Sequence, residues 1–132
     1  MALALRHAKT QRTIHLFDSF EGLPEPGKLD GAAAIAYSEG RSSGQLSSIH
    51  KCEASLSEVR SLLLDRLGFS DKQIHFHVGW FQKSVPADAK DLGQIAVLRL
   101  DGDWYDSTLV CLEHLYPLLS PGGLLILDDY FC

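Results

Sequence analysis

Four short apolar runs, each closing on a small or acidic residue, constrain this chain more than any other feature. They end Phe17-Asp18, Val78-Gly79, Leu100-Asp101 and Leu127-Asp128-Asp129. Runs of this length, rich in β-branched, aromatic and aliphatic side chains, read as strands over Thr13–Phe17, Ile74–Val78, Ile95–Leu100 and Leu124–Leu127. The third, Ile-Ala-Val-Leu-Arg-Leu, is nearly continuous in apolar residues, the pattern of a parallel strand covered on both faces. Helical patterns fall between them. Ser55-Leu56-Ser57-Glu58 is a capping box, followed by Val59, Leu62, Leu63, Arg66 and Leu67 at helical spacing and by a closing Gly68. Ser107 to Leu119 is a further helix, with Leu109, Leu112, Leu115 and Tyr116 on one face and Pro121-Gly122-Gly123 as its stop. Ala2 to Lys9 reads as the end of another. The order helix, strand, long loop, helix, strand, strand, helix, strand predicts an α/β domain with a mostly parallel sheet and flanking helices.

The 132 residues amount to one domain, 1–132, with a Gly-, Pro-, Ser- and Ala-rich loop over 21–54. Ala32–Tyr37 has room for a short helix inside that loop. No apolar run approaches the roughly 18 residues of a membrane helix, and Met1 to Leu5 is cut short by Arg6 and His7, so neither a membrane partner nor a signal peptide is expected. The net charge is −5 and no Lys/Arg cluster occurs, which argues against nucleic acid as a partner. Cys52, Cys111 and Cys132 are odd in number and widely spaced, with no Cys-x-x-Cys. Reduced thiols in the cytoplasm fit better than a disulfide framework or a zinc site.

In a parallel sheet the strand C-termini line one edge, where open α/β folds bind ligands. Asp18 there suits the vicinal hydroxyls of a ribose, and equally the cap of a turn opened by Asp18-Ser19. Asp101, Asp128 and Asp129 from two strands would form a hard, all-oxygen site suited to Mg²⁺, or Asp128-Asp129 would cap a following helix. Trp80-Phe81 after Gly79 suits an aromatic wall for a flat ring, or core packing. His75 and His77 share a strand face and are expected to pack on a helix or meet solvent. Cys111 falls near an apolar helical stripe and is expected in the core.

Several stretches taken together resemble a known family. They are Phe17-Asp18-Ser19-Phe20-Glu21-Gly22-Leu23-Pro24; Gly79-Trp80-Phe81 with Val85-Pro86; Leu98-Arg99-Leu100-Asp101-Gly102-Asp103-Trp104-Tyr105-Asp106-Ser107-Thr108; Leu115-Tyr116-Pro117 with Ser120-Pro121-Gly122-Gly123; and Asp128-Asp129-Tyr130. In this order and spacing, from about Thr13 to Tyr130, the chain resembles the macrocin O-methyltransferases, enzymes that methylate sugar hydroxyls of natural products.

The resemblance implies a partial Rossmann-like class I methyltransferase fold, with S-adenosylmethionine and Mg²⁺ as cofactors and a small-molecule hydroxyl acceptor as partner. It assigns Asp18 and Ser19 to the cofactor ribose side, Gly79, Trp80 and Phe81 to adenine, and Asp101, Asp128 and Asp129 to the metal. Asp101 is the candidate base as well as a ligand. Catechol O-methyltransferases place a lysine three residues after the first metal Asp; Trp104 stands there instead. The fold would also have a first strand with a Gly-rich loop before Asp18, and further strands after Asp129. Neither is visible in the sequence, so the chain reads as the central portion of such a domain. The second reading is therefore an inactive fragment serving as a binding or dimerisation module, and homo-oligomer formation stays open. A dehydrogenase or nucleotide hydrolase would need a Gly-x-Gly-x-x-Gly or phosphate loop, and neither occurs.

Overall fold

Each apolar run finds a parallel partner. In the computed structural model, which describes residues 2–8 and 10–128, β1 (Ile14–Asp18) pairs with β2 (Ile74–Val78), from Ile14 opposite Ile74 to Asp18 opposite Val78. Likewise β3 (Ile95–Leu100) pairs with β4 (Leu119–Leu127). The helices are α1 (Ala2–His7), α2 (Gly31–Tyr37), α3 (Leu56–Arg60), α4 (Phe81–Asp88) and α5 (Tyr105–Leu115). The parallel α/β architecture with flanking helices is the one the strand pattern implies. Its strands form two two-stranded sheets; among the described residues β1 and β3 do not pair. A groove of about 810 Å³ runs between them, lined by residues of both strands together with Leu63, Leu92 and Cys111.

The capping box forms as expected. The Ser55 hydroxyl accepts from the Glu58 N–H and the Glu58 carboxylate accepts from the Ser55 N–H; donation to that carboxylate by the Ser55 hydroxyl first, and by the Ser55 N–H second, holds the Glu58 carboxyl below its ordinary pKa. The helix then widens into a π-helical stretch, Ser61–Arg66. Gly68 closes it at φ +70°, where a side chain would be strained.

Three boundaries differ from expectation. The helix α4 lies between β2 and β3, where no helix is expected. Pro86 lies inside α4, where it has no N–H to donate to the preceding turn. The helix expected over Ser107–Leu119 starts earlier and stops at Leu115, and Tyr116–Leu118 forms a 3₁₀ turn. The last strand starts at Leu119 and runs through Pro121-Gly122-Gly123, with a register irregularity opposite Ile95–Val97. Gly123 is required there: a Cβ would lie 2.9 Å from the Ser120 carbonyl oxygen and 3.1 Å from that of Ala96.

Two apolar clusters hold the elements. Val85 and Ala89 pack with Leu98, Leu100, Cys111 and Leu115, joining α4, β3 and α5. Ile14, Ile74, Leu63 and Phe69 join β1 and β2 to the α3 region. Burying an aliphatic side chain of this size contributes about 1.5–3 kcal/mol. Cys111 is core, as its stripe implies, and burial pushes its thiol up to about 12. Among the described residues no helix is long and apolar enough to cross a membrane.

Candidate active site

The strand ends and the loops that follow them enclose a cavity of about 310 Å³. Asp18 and Ser19 reach it from the end of β1, Trp80 and Phe81 from the turn into α4, and Asp101 from the end of β3. Segments far apart in sequence thus meet at one edge because parallel strands put their C-termini on one side. Gly79 holds that edge together through its backbone. Its N–H donates to the Asp18 carbonyl at 2.9 Å, and its own carbonyl accepts from the Ser84 hydroxyl. Its φ of +142° lies in the range that glycine tolerates.

Asp18 is exposed, and its Oδ1 accepts from the Phe20 N–H at 2.6 Å. Ser19 is buried, and its hydroxyl donates to the Gly22 carbonyl and accepts from the Glu21 N–H. Asp18 and Ser19 therefore build the turn that one reading expects, and both border the cavity. Trp80 is the N-cap of α4 and Phe81 its first residue, so their place on the cavity wall follows from where the helix begins.

The acidic rim is organised by one cation. The Arg99 guanidinium donates to Asp101 Oδ2 at 2.8 Å and through its other terminal nitrogen to Asp128 Oδ2. Asp101 first, and then Asp128, raise the Arg99 pKa against the opposing effect of partial burial. The Asp128 N–H is tied to the Leu100 carbonyl. Two carboxylates from neighbouring strands therefore converge on a single positive charge, the donor set a hard divalent ion takes. Asp129, the third expected ligand, lies outside the described residues, and among those described no group of three or more His, Cys, Asp or Glu could hold a metal ion.

Sequence reasoning missed part of the wall. Gly22, Leu23, Pro24 and Cys52 from the 21–54 segment line the cavity, as do Asp103, Trp104 and Ser107. The Asp101-Gly102-Asp103-Trp104 motif contains two of these, so they were open to detection as neighbours of Asp101. Cys52 was not, because its position depends on how the long segment folds back. The Trp104 indole donates to the Pro24 carbonyl at 2.9 Å. Tyr37 donates to or accepts from Cys52 Sγ at 3.9 Å, and that contact raises the Tyr37 pKa.

The histidines form a separate cluster. His77 Nδ1 lies 2.6 Å from Asp88 of α4 and its Nε2 lies 2.9 Å from His15 Nδ1, while His75 is exposed and stacks on His15. One member thus packs on a helix and the other meets solvent, as their strand face implies.

The macrocin-O-methyltransferase (TylF) family model matches residues 1–132. The 8-demethyl-8-(2,3-dimethoxy-alpha-L-rhamnosyl)-tetracenomycin-C 4'-O-methyltransferase of Streptomyces olivaceus is 40% identical over 98% of this chain and 46% of its own. The mycinamicin III 3''-O-methyltransferase of Micromonospora griseorubida is 34% identical over 90% of this chain and 44% of its own. The solved structure of the O-methyltransferase NovP superposes with a TM-score of 0.71 at 37% identity, covering 98% of this chain and 50% of that one. A calicheamicin methyltransferase shares the fold, with a TM-score of 0.62 at 24% identity over 91% of this chain and 46% of that one. The chain thus spans about half the length of the relatives it matches. A match over every residue, with Asp18 and Asp101 of the motifs on one cavity, means that this chain belongs to the macrocin-O-methyltransferase family.

Proposed function

We propose that the chain carries the cofactor- and metal-facing part of an O-methyltransferase that moves a methyl group from S-adenosylmethionine to a hydroxyl of a small natural product, on its sugar moiety. The observation that carries this reading is the cavity that draws Asp18, Trp80, Phe81 and Asp101 from three distant segments. The named activities of the relatives, all O-methyl transfers to such products, support it.

The residues divide the work by chemistry. The Asp18 carboxylate accepts hydrogen bonds from the ribose hydroxyls, beside the turn that Ser19 and Gly79 brace. Trp80 and Phe81 give the adenine an apolar wall and keep water from it. Asp101 and Asp128, which the Arg99 guanidinium neutralises in this structure, are with Asp129 the residues that would hold Mg²⁺. Bound there, the ion supplies Lewis-acid assistance that makes the acceptor hydroxyl easier to deprotonate. Asp101 receives the hydroxyl proton. Trp104 and Pro24, joined by a hydrogen bond, also line the cavity, and the acceptor is held mainly by the 21–54 segment.

The test is transfer of label from methyl-labelled S-adenosylmethionine to a panel of deoxysugar-bearing aglycones, with the Asp101→Asn variant alongside. Mg²⁺-dependent labelling that falls by about a hundredfold or more in the variant is expected for loss of a proton acceptor. Labelling that Asp101→Asn leaves unaltered removes Asp101 from its role.

A further inference from the structure

The 21–54 segment supplies a wall of the cavity, yet little of it is regular structure beyond α2. It folds on itself through the Leu23 N–H to the Lys51 carbonyl, the Ile49 N–H to the Leu23 carbonyl, and the Gly44 N–H to the Pro26 carbonyl. Those bonds give it a shape without fixing it to the sheet edge. Two others do that. One is the Trp104 indole to the Pro24 carbonyl. The other comes from Asp30, whose Oδ1 accepts from the Tyr105 N–H and whose Oδ2 accepts from the Gly27 N–H, each at 2.6 Å.

Tyr105 is the first residue of α5, and the residue before it, Trp104, makes no side-chain cap. The first N–H groups of a helix need acceptors from outside, and a carboxylate at that end also meets the positive pole of the helix. Asp30 provides both from a position 75 residues away in sequence. Its two oxygens are divided between the helix and the segment, so one side chain joins the wall made by Gly22, Leu23 and Pro24 to the wall made by Asp101, Asp103 and Trp104. Gly27 fits beneath it, where an added Cβ would touch both Asp30 Oδ2 and Asp106 Oδ2 at 3.7 Å.

We propose that Asp30 is a positioning residue that caps α5 from the 21–54 segment and thereby sets the width of the cavity. It is not among the residues that line the cavity. Its loss leaves the Trp104–Pro24 bond to hold the Leu23–Pro24 wall without the tie to α5, so the wall loosens and ligand affinity falls while the rate of the bound complex changes less. The ligand part of this inference rests on the methyltransferase reading; the closure of the segment does not.

Tryptic cleavage of the folded chain reads the closure directly, because Lys28, Arg41 and Lys51 lie in the segment while Lys83 and Lys90 lie in and just after α4. In Asp30→Ala, cleavage at Lys28, Arg41 and Lys51 is expected to rise by about tenfold, the equivalent of one lost charge-assisted hydrogen bond. Cleavage at Lys83 and Lys90 is expected to hold its wild-type rate. Asp30→Asn keeps one acceptor oxygen and falls between the two. S-adenosylhomocysteine, added as a probe, slows segment cleavage in all three proteins but binds Asp30→Ala about tenfold more weakly. In the transfer reaction the same variant raises KM more than it lowers kcat. Wild-type segment cleavage in Asp30→Ala overturns the proposal, as does an equal rise at Lys83 and Lys90, which marks general destabilisation. If Asp30→Ala does not fold, Asp30→Asn decides by the same comparison. If S-adenosylhomocysteine binds none of the proteins, the methyltransferase reading fails and the cleavage pattern still decides on Asp30.

Discussion

Arg99 carries the most charge-sensitive contacts of the site. It holds Asp101 and Asp128 together, and without it two carboxylates are left facing one another. All three side chains are nearly half exposed, so each pair contributes only about 0.5 kcal/mol. Arg99→Gln is expected to lower the thermal midpoint slightly in metal-free buffer, and millimolar Mg²⁺ to restore it more than it stabilises wild type. Equal Mg²⁺ responses in the two proteins would count against a shared ion at Asp101 and Asp128. His15 makes the opposite kind of statement. Burial first, and then His75 and His77, hold its pKa below the ordinary 6.5. The folded state therefore prefers the neutral ring. As pH falls below about 6.5 the unfolded chain takes up this proton first, so the stability is complete above that value and is lost on the way down to the folded pKa. Thermal midpoints measured across that window should decline in wild type and decline less in His15→Asn.

At the level of elements, local signals suffice where one residue type dictates one geometry. The Ser55–Glu58 box, Gly68 and the strands Ile74–Val78 and Ile95–Leu100 fall where the sequence puts them. Ser55→Ala should cost about 1 kcal/mol in urea unfolding, the usual worth of an N-cap, with the midpoint shifting and the slope unchanged. What escaped depends on context. The helix α4 forms with Pro86 inside it, so it is not marked by the residue preferences that mark the other helices. Pro121-Gly122-Gly123 looks like a stop, but the Ala96 backbone passes close enough to Gly123 to draw that stretch into the β3–β4 ladder. Leu98 lies at the centre of the α4–β3–α5 cluster and is 7% exposed. Leu98→Ala should therefore remove about 2–5 kcal/mol, which the same unfolding measurement would read.

Across the whole molecule, the two parallel pairs leave the facing edges of β1 and β3 along an apolar groove, and Leu124 and Ile126 are exposed on β4. Edges and apolar surface of this kind promote association. Sedimentation velocity should show the average mass rising with concentration; a constant monomer would argue that the edges are harmless. That Asp18 and Asp101 reach one cavity was legible because parallel strands put their C-termini on one side. The 21–54 wall was not, since Asp30 meets Tyr105 and Pro24 meets Trp104 only after the chain has folded.

The central claim is that the cavity between β1, β3 and α4 is a cofactor site. Calorimetric titration with S-adenosylhomocysteine, in Mg²⁺ and again after chelation, tests it most directly. The expected result is saturable single-site binding in the micromolar range that Asp18→Asn abolishes without unfolding the chain. A folded wild-type chain that binds nothing, or one whose binding is indifferent to Asp18, would contradict the claim.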